Sequence, residues 1–79
     1  MDLDYREVGT DKSWRLDVHY NGVAIGTIRK SADGLRHEYY HGVGNDFAYA
    51  YSKTDLDDLK SLLAVRLART ALITSGLMI

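Results

Sequence analysis

Two alternating stretches meet at Asn21-Gly22, and that junction constrains the chain more than any other feature. Before it, Trp14, Leu16, Val18 and Tyr20 point one way and Arg15, Asp17 and His19 the other, the period-two pattern of a half-buried strand. Asn-Gly then supplies two residues that tolerate positive φ, as a type I′ turn requires, so residues 13–30 read as a β-hairpin. A two-residue loop pairs Tyr20 with Val23, which sets Val18 against Ile25, Leu16 against Thr27 and Trp14 against Arg29. An arginine facing a tryptophan in this way can stack on its ring.

The rest of the chain extends or covers that hairpin. Leu3, Tyr5 and Val8 indicate a short first strand, with Gly9 to Lys12 as the turn that follows it. Asp33-Gly34 is a second turn signal, and residues 35–41 read as a third strand. A two-residue loop there sets Glu38 against Arg29, Tyr39 against Ile28, Tyr40 against Thr27 and His41 against Gly26. A three-residue loop would swap the faces of the whole strand, so the sides taken by His37 and Tyr39 depend on loop length. Residues 42–45, Gly-Val-Gly-Asn, read as a loop and residues 46–51 as a fourth strand, with Phe47, Tyr49 and Tyr51 alternating with Ala48 and Ala50. Trp14 and Tyr49 are assigned to the core; Tyr39, Tyr40 and Tyr51 cannot all be interior in so small a chain.

Thr54 is a good N-cap, and Asp55, Asp57 and Asp58 sit where a helix dipole favours negative charge. Leu56, Leu59, Leu63, Leu67 and Ala71 form one stripe at helical spacing. Leu62, Val65, Ala68, Leu72 and Ile73 lie off that stripe, so the second half of the helix is apolar on more than one side. The helix is expected over residues 55–75 with Gly76 as its stop, leaving Leu77, Met78 and Ile79 beyond it. The expected fold class is α+β: an antiparallel meander of three to five strands with one C-terminal helix on one face, in a single small domain over residues 1–79.

A chain of 79 residues buries only about 60–65% of the surface its unfolded state exposes, so stability is modest. It has no cysteine, hence no disulfide framework and no thiolate zinc site, which suits a reducing, cytoplasmic setting. The acidic start, MDLDYREVG, is unlike a secretion signal, and the apolar segment near the C-terminus is interrupted by Arg66 and Arg69. A soluble protein is expected.

No motif encodes a reaction. The expected register puts His19, His37 and His41 on one face with Asp17, a set that suits zinc in principle, although no pair has the spacing of a strong local ligand motif. Solvated histidines on an outer sheet face account for them more simply. No serine or threonine sits in a nucleophile elbow, and Gly42-Val43-Gly44 lacks the third glycine and following helix of a phosphate-binding turn. The acidic run Asp55, Asp57 and Asp58 is explained by the helix dipole. No catalytic residue, metal or cofactor is implied.

Two binding readings remain. Arg15, Arg29, Lys30, Arg36 and His37 cluster around the second hairpin, with Tyr39 or Tyr40 available to stack on bases, and sheets of this kind do enter DNA grooves. The layout of a three-stranded sheet and C-terminal helix is similar to that of the amino-terminal DNA-binding domains of tyrosine recombinases, a resemblance without any shared residue motif, and it implies contact with DNA. Against it stand Asp33 and Glu38 in the same patch and a net charge of −1. Six tyrosines and a tryptophan supply the side chains that protein interfaces favour. The expected function is therefore that of a non-catalytic protein-binding module: a small inhibitor or modulator that occludes a surface on a larger protein or nucleoprotein partner. Phages and mobile elements encode accessory proteins of this character, such as inhibitors of host defence nucleases. Tyr39, Tyr40, Arg36 and Glu38 are the expected contact residues, and Leu62, Val65, Leu72 and Ile73 are expected to serve a homodimer. The alternative is a small nucleic-acid-binding regulator acting through residues 29–37.

Overall fold

A computed structural model describes residues 3–77, those after Leu67 by backbone alone. Five strands, β1 (Leu3–Val8), β2 (Arg15–Tyr20), β3 (Val23–Lys30), β4 (His37–His41) and β5 (Tyr51–Lys53), form one antiparallel sheet in sequence order. The helix α1 (Leu56–Leu77) follows and packs on the β4–β5 side of one face, giving the α+β meander expected.

The turn of the first hairpin forms as its sequence demands, with φ of 50° at Asn21 and 83° at Gly22. Beside the turn, Tyr20 pairs with Val23 and His19 with Ala24. One step further the register shifts: Val18 pairs with Gly26, Asp17 with Thr27, Leu16 with Ile28 and Arg15 with Arg29. A β-bulge has absorbed one residue of β3, and the reason lies in the core. Without it, Thr27 and Arg29 would share the face of Leu16 and Val18 while Ile28 pointed away; the extra residue turns Ile28 inward, where it is fully buried. Trp14 therefore does not face Arg29. The Lys30 ammonium lies over its ring instead, 5.5 Å from the centroid.

Between β3 and β4 the expected register holds, with Gly26 opposite His41, Ile28 opposite Tyr39 and Arg29 opposite Glu38. The loop is longer than two residues. Ser31 N–H donates to the Arg36 carbonyl (2.9 Å), Gly34 N–H donates to the Ser31 carbonyl (2.9 Å), and Gly34 has a φ of 76°. Two added residues preserve the parity, so the faces are unchanged. Asp33 accepts hydrogen bonds from the Ser31 hydroxyl and the Leu35 N–H, which hold its carboxyl below the usual range.

Leu16, Val18, Ile28, Tyr39, Leu59, Leu63 and Leu67 make up the core, with Leu3, Tyr5, Trp14, Ile25, Tyr51 and Leu56 packed around it. Tyr39 stacks on Tyr51 with ring centroids 6.4 Å apart, and burial raises its hydroxyl well above the ordinary tyrosine value. Its hydroxyl sits 2.8 Å from His41 Nδ1 and donates to the Ile25 carbonyl at 3.3 Å. The bulge residue is thus tied to the core. Asp55, rather than Thr54, caps α1: its carboxylate accepts the Asp57 N–H (2.9 Å) and its carbonyl accepts the Leu59 N–H (3.1 Å). The Thr54 carbonyl is engaged elsewhere, by His37 Nδ1 at 3.0 Å. The helix also runs through Gly76 to Leu77 rather than stopping before it, while Met78 and Ile79 lie outside the described residues.

The expected fourth strand is mostly loop. Gly42 and Gly44 have φ of 104° and 73°, and the Asn45 side chain donates to the His41 carbonyl (2.8 Å) while accepting the Phe47 N–H (3.1 Å). That side chain offers the backbone a local alternative to the ladder, which resumes where the Ala50 N–H donates to the Tyr39 carbonyl (2.7 Å). Tyr49 consequently lies outside the core, 51% exposed.

Candidate functional site

The sheet face opposite α1 carries two cross-strand rows. Arg6, Asp17, Thr27 and Tyr40 form one; Val8, Arg15, Arg29, Glu38 and Ser52 form the other. Strand alternation dictates their direction once Leu16, Val18, Ile28 and Tyr39 are turned toward the helix. The Arg15 Nε–Asp17 Oδ1 ion pair spans 2.9 Å along β2. The Arg29 guanidinium lies over the Tyr40 ring, 5.7 Å from its centroid, and Tyr49 meets that ring edge-on at 6.4 Å. Tyr40 donates its hydroxyl to Glu38 Oε1 at 3.1 Å; partial desolvation first, and this bond second, raise its pKa.

The loop over residues 42–50 borders this face. Val43 and Gly44 wall a cleft of about 250 Å³ whose floor includes Arg15, Asp17, His19, Thr27 and Arg29. Val43 is 79% and Phe47 97% exposed, so the loop presents apolar side chains to solvent beside the Arg29–Tyr40–Tyr49 cluster. A larger opening of about 600 Å³ lies at the Trp14 end of the sheet and mixes Lys12 and Lys30 with Asp11 and Asp33. Arg29 lines it as well, but Asp11 and Asp33 offset two of its three cations.

Of the expected protein contacts, Tyr40 and Glu38 lie together on the open face, and Arg36 is held beside them by hydrogen bonds to the Ser52 hydroxyl (2.8 Å) and carbonyl (3.4 Å). Tyr39 does not join them, being fully buried against α1 and Tyr51. The basic set divides. Arg15 and Arg29 stand on the open face, whereas Lys30 and His37 pair on the other side, where His37 meets the Trp14 ring edge-on at 6.1 Å. The bulge also separates the histidines: His19 faces away from α1, while His37 and His41 share the side of Tyr39. Asp17 pairs with Thr27 and not with Gly26, so the Asp17–His41 juxtaposition does not occur, and no group of three or more metal-ligating side chains exists among the described residues. On α1, Leu62 is half-buried and Val65 is 62% exposed; the side chains of Leu72 and Ile73 lie outside the described set.

Phe47 and Tyr49 are the surface residues that strand alternation misassigned. Gly42, Gly44 and Asn45-Asp46 are turn formers whose signal extends the loop to Phe47. Among the described residues no helix is long and apolar enough to cross a membrane. Comparison with protein-family models, with curated proteins and with solved structures finds no match.

Proposed function

We propose that this chain is a non-catalytic protein-binding module that acts in the cytoplasm by laying its open sheet face, bordered by the loop over residues 42–50, on a larger protein and occluding part of it. The observation that carries this reading is the contiguous Arg29–Tyr40–Tyr49 cluster beside the 97% exposed Phe47. Arginine and aromatic side chains supply most interface hot spots, because they cover large area while keeping a polar or π-face contact. Exposed apolar side chains that group within a polar rim mark interaction surfaces. The charges of the face favour protein over nucleic acid: Arg6, Arg15, Arg29 and Arg36 are interspersed with Asp4, Asp17 and Glu38, an excess of a single positive charge. A polyanion gains little on such a mixed surface.

The test uses partner recovered with the wild-type chain and titration calorimetry on purified variants. Tyr40→Ala and Phe47→Ala are expected to weaken binding by about thirtyfold each, the scale of a hot-spot truncation, with melting temperatures close to wild type. Val65→Ala, on α1, is expected to bind as wild type. Unchanged affinity in both open-face variants, or recovery of nucleic acid instead of protein, overturns the reading. Self-association through α1 is a separate proposal resting on exposed Val65, and a monomeric mass in light scattering at high concentration refutes it.

A further inference from the structure

Arg15 and Arg29 stand directly opposite each other on neighbouring strands. Like charges in that position destabilise a sheet. Arg15 is partly compensated by Asp17, whereas among the described residues the Arg29 guanidinium has no carboxylate partner and rests on the Tyr40 ring. Glu38, its cross-strand neighbour, is engaged by the Tyr40 hydroxyl instead. Both guanidinium groups line the cleft walled by Val43 and Gly44, together with His19, whose Nδ1 is shielded from solvent and has no hydrogen-bond partner. The bulge creates this arrangement, since the unshifted register would have set Arg29 against Trp14.

The geometry points to this cleft as a receptor for a single carboxylate, the side chain of an acidic residue on the partner protein, clamped between the Arg15 and Arg29 guanidinium groups. The inference rests on the protein-binding reading and specifies its chemistry. Two arginines against the carboxylate of Asp17 leave one positive charge uncompensated in the cleft, enough for one acidic side chain. A planar guanidinium matches a carboxylate with two parallel hydrogen bonds, and stacking on Tyr40 orients the Arg29 plane beforehand. The exposed Val43 at the rim suits the aliphatic stem of a glutamate better than a hydrated phosphate. An acidic residue flanked by apolar ones is therefore the segment that fits.

Amide NMR of the intact chain provides the test, with three probes: a blocked peptide carrying one central glutamate, its glutamine counterpart, and a short single-stranded oligonucleotide. The glutamate peptide is expected to give saturable shifts centred on Arg15, Thr27 and Arg29, with the glutamine peptide at least about tenfold weaker. Arg29→Gln and Arg15→Gln should each lose about tenfold or more with the remaining spectrum superimposable, Arg29→Lys should lose less, and Lys53→Gln, an exposed cation that pairs with His37 away from this face, should match wild type. Equal shifts from the two peptides, or undiminished shifts in Arg29→Gln, overturn the proposal. So does an oligonucleotide that moves the same amides at lower concentration, which would assign the cleft to phosphate. If the cleft ignores glutamate while Tyr40→Ala still weakens the partner complex, this inference falls and the protein-binding face stands.

Discussion

Replacing Gly26 by alanine probes the most crowded point of the sheet. A Cβ there would lie 2.5 Å from the Tyr39 hydroxyl and 2.7 Å from its Cε1, and closer still to the Tyr40 carbonyl oxygen. None of these neighbours can step aside cheaply. Tyr39 is fully buried, stacked on Tyr51 and bonded through its hydroxyl to the Ile25 carbonyl, and the Tyr40 oxygen belongs to the β4 backbone. Overpacking of this kind costs about 1–3 kcal/mol, against which alanine recovers about 0.4–1 kcal/mol of unfolded-state entropy. A contact this short belongs at the upper end of the overpacking range, so a net loss of about 2 kcal/mol is expected. For a domain of this size that lowers the melting temperature by about 8–16 °C in a circular-dichroism melt. In a Tyr39→Leu background, which clears the ring, the same glycine replacement should cost distinctly less. A Gly26→Ala protein that melts at or above the wild-type temperature would refute the close approach of Tyr39 to the bulge.

The hydroxyls of Tyr39, Tyr5 and Tyr40 are all held above the ordinary tyrosine value, chiefly by burial. A raised folded-state value means that the folded chain keeps its proton longer than the unfolded one, so this stability is complete below about pH 10 and is lost as pH climbs toward the folded values. Spectrophotometric titration should show a late tyrosine fraction that ionises together with unfolding; a single step with all tyrosines near pH 10 in the folded chain would contradict it. Asp55→Ala removes the cap of α1 and is expected to cost about 0.5–2 kcal/mol in urea unfolding, whereas Thr54→Ala should cost little. The reverse order would restore Thr54 as the cap.

The meander and its helix were legible because they rest on local patterns: alternation in β2, the Asn21-Gly22 turn, and leucines at helical spacing from Leu56 to Leu67. The β3–β4 register is the one a two-residue loop at Asp33-Gly34 predicts, because the loop opens by one residue on each side and leaves the pairing unchanged. The bulge was missed for a physical reason that the sequence does contain. Ile25 and Ile28 are three apart and cannot share a face of a regular strand, and Gly26 between them is the residue a bulge or close approach favours. Phe47, Tyr49 and Tyr51 imitate a strand, but the side-chain turn of Asn45 competes with the ladder at that point. The candidate site was therefore half legible. Tyr40, Glu38, Arg15 and Arg29 were named from the sequence, while their grouping on one face, the burial of Tyr39 and the exposure of Phe47 follow from the bulge and the loop.

The most direct measurement of the central claim places a photo-reactive phenylalanine analogue at Phe47 and, in a second sample, at Val65, in cells that express the chain. If the open face is the docking surface, illumination yields a defined adduct with a second, different protein from position 47 and none with that protein from position 65, and Tyr40→Ala suppresses it. An adduct with nucleic acid at position 47, or an adduct with a different protein from position 65 alone, would contradict the account.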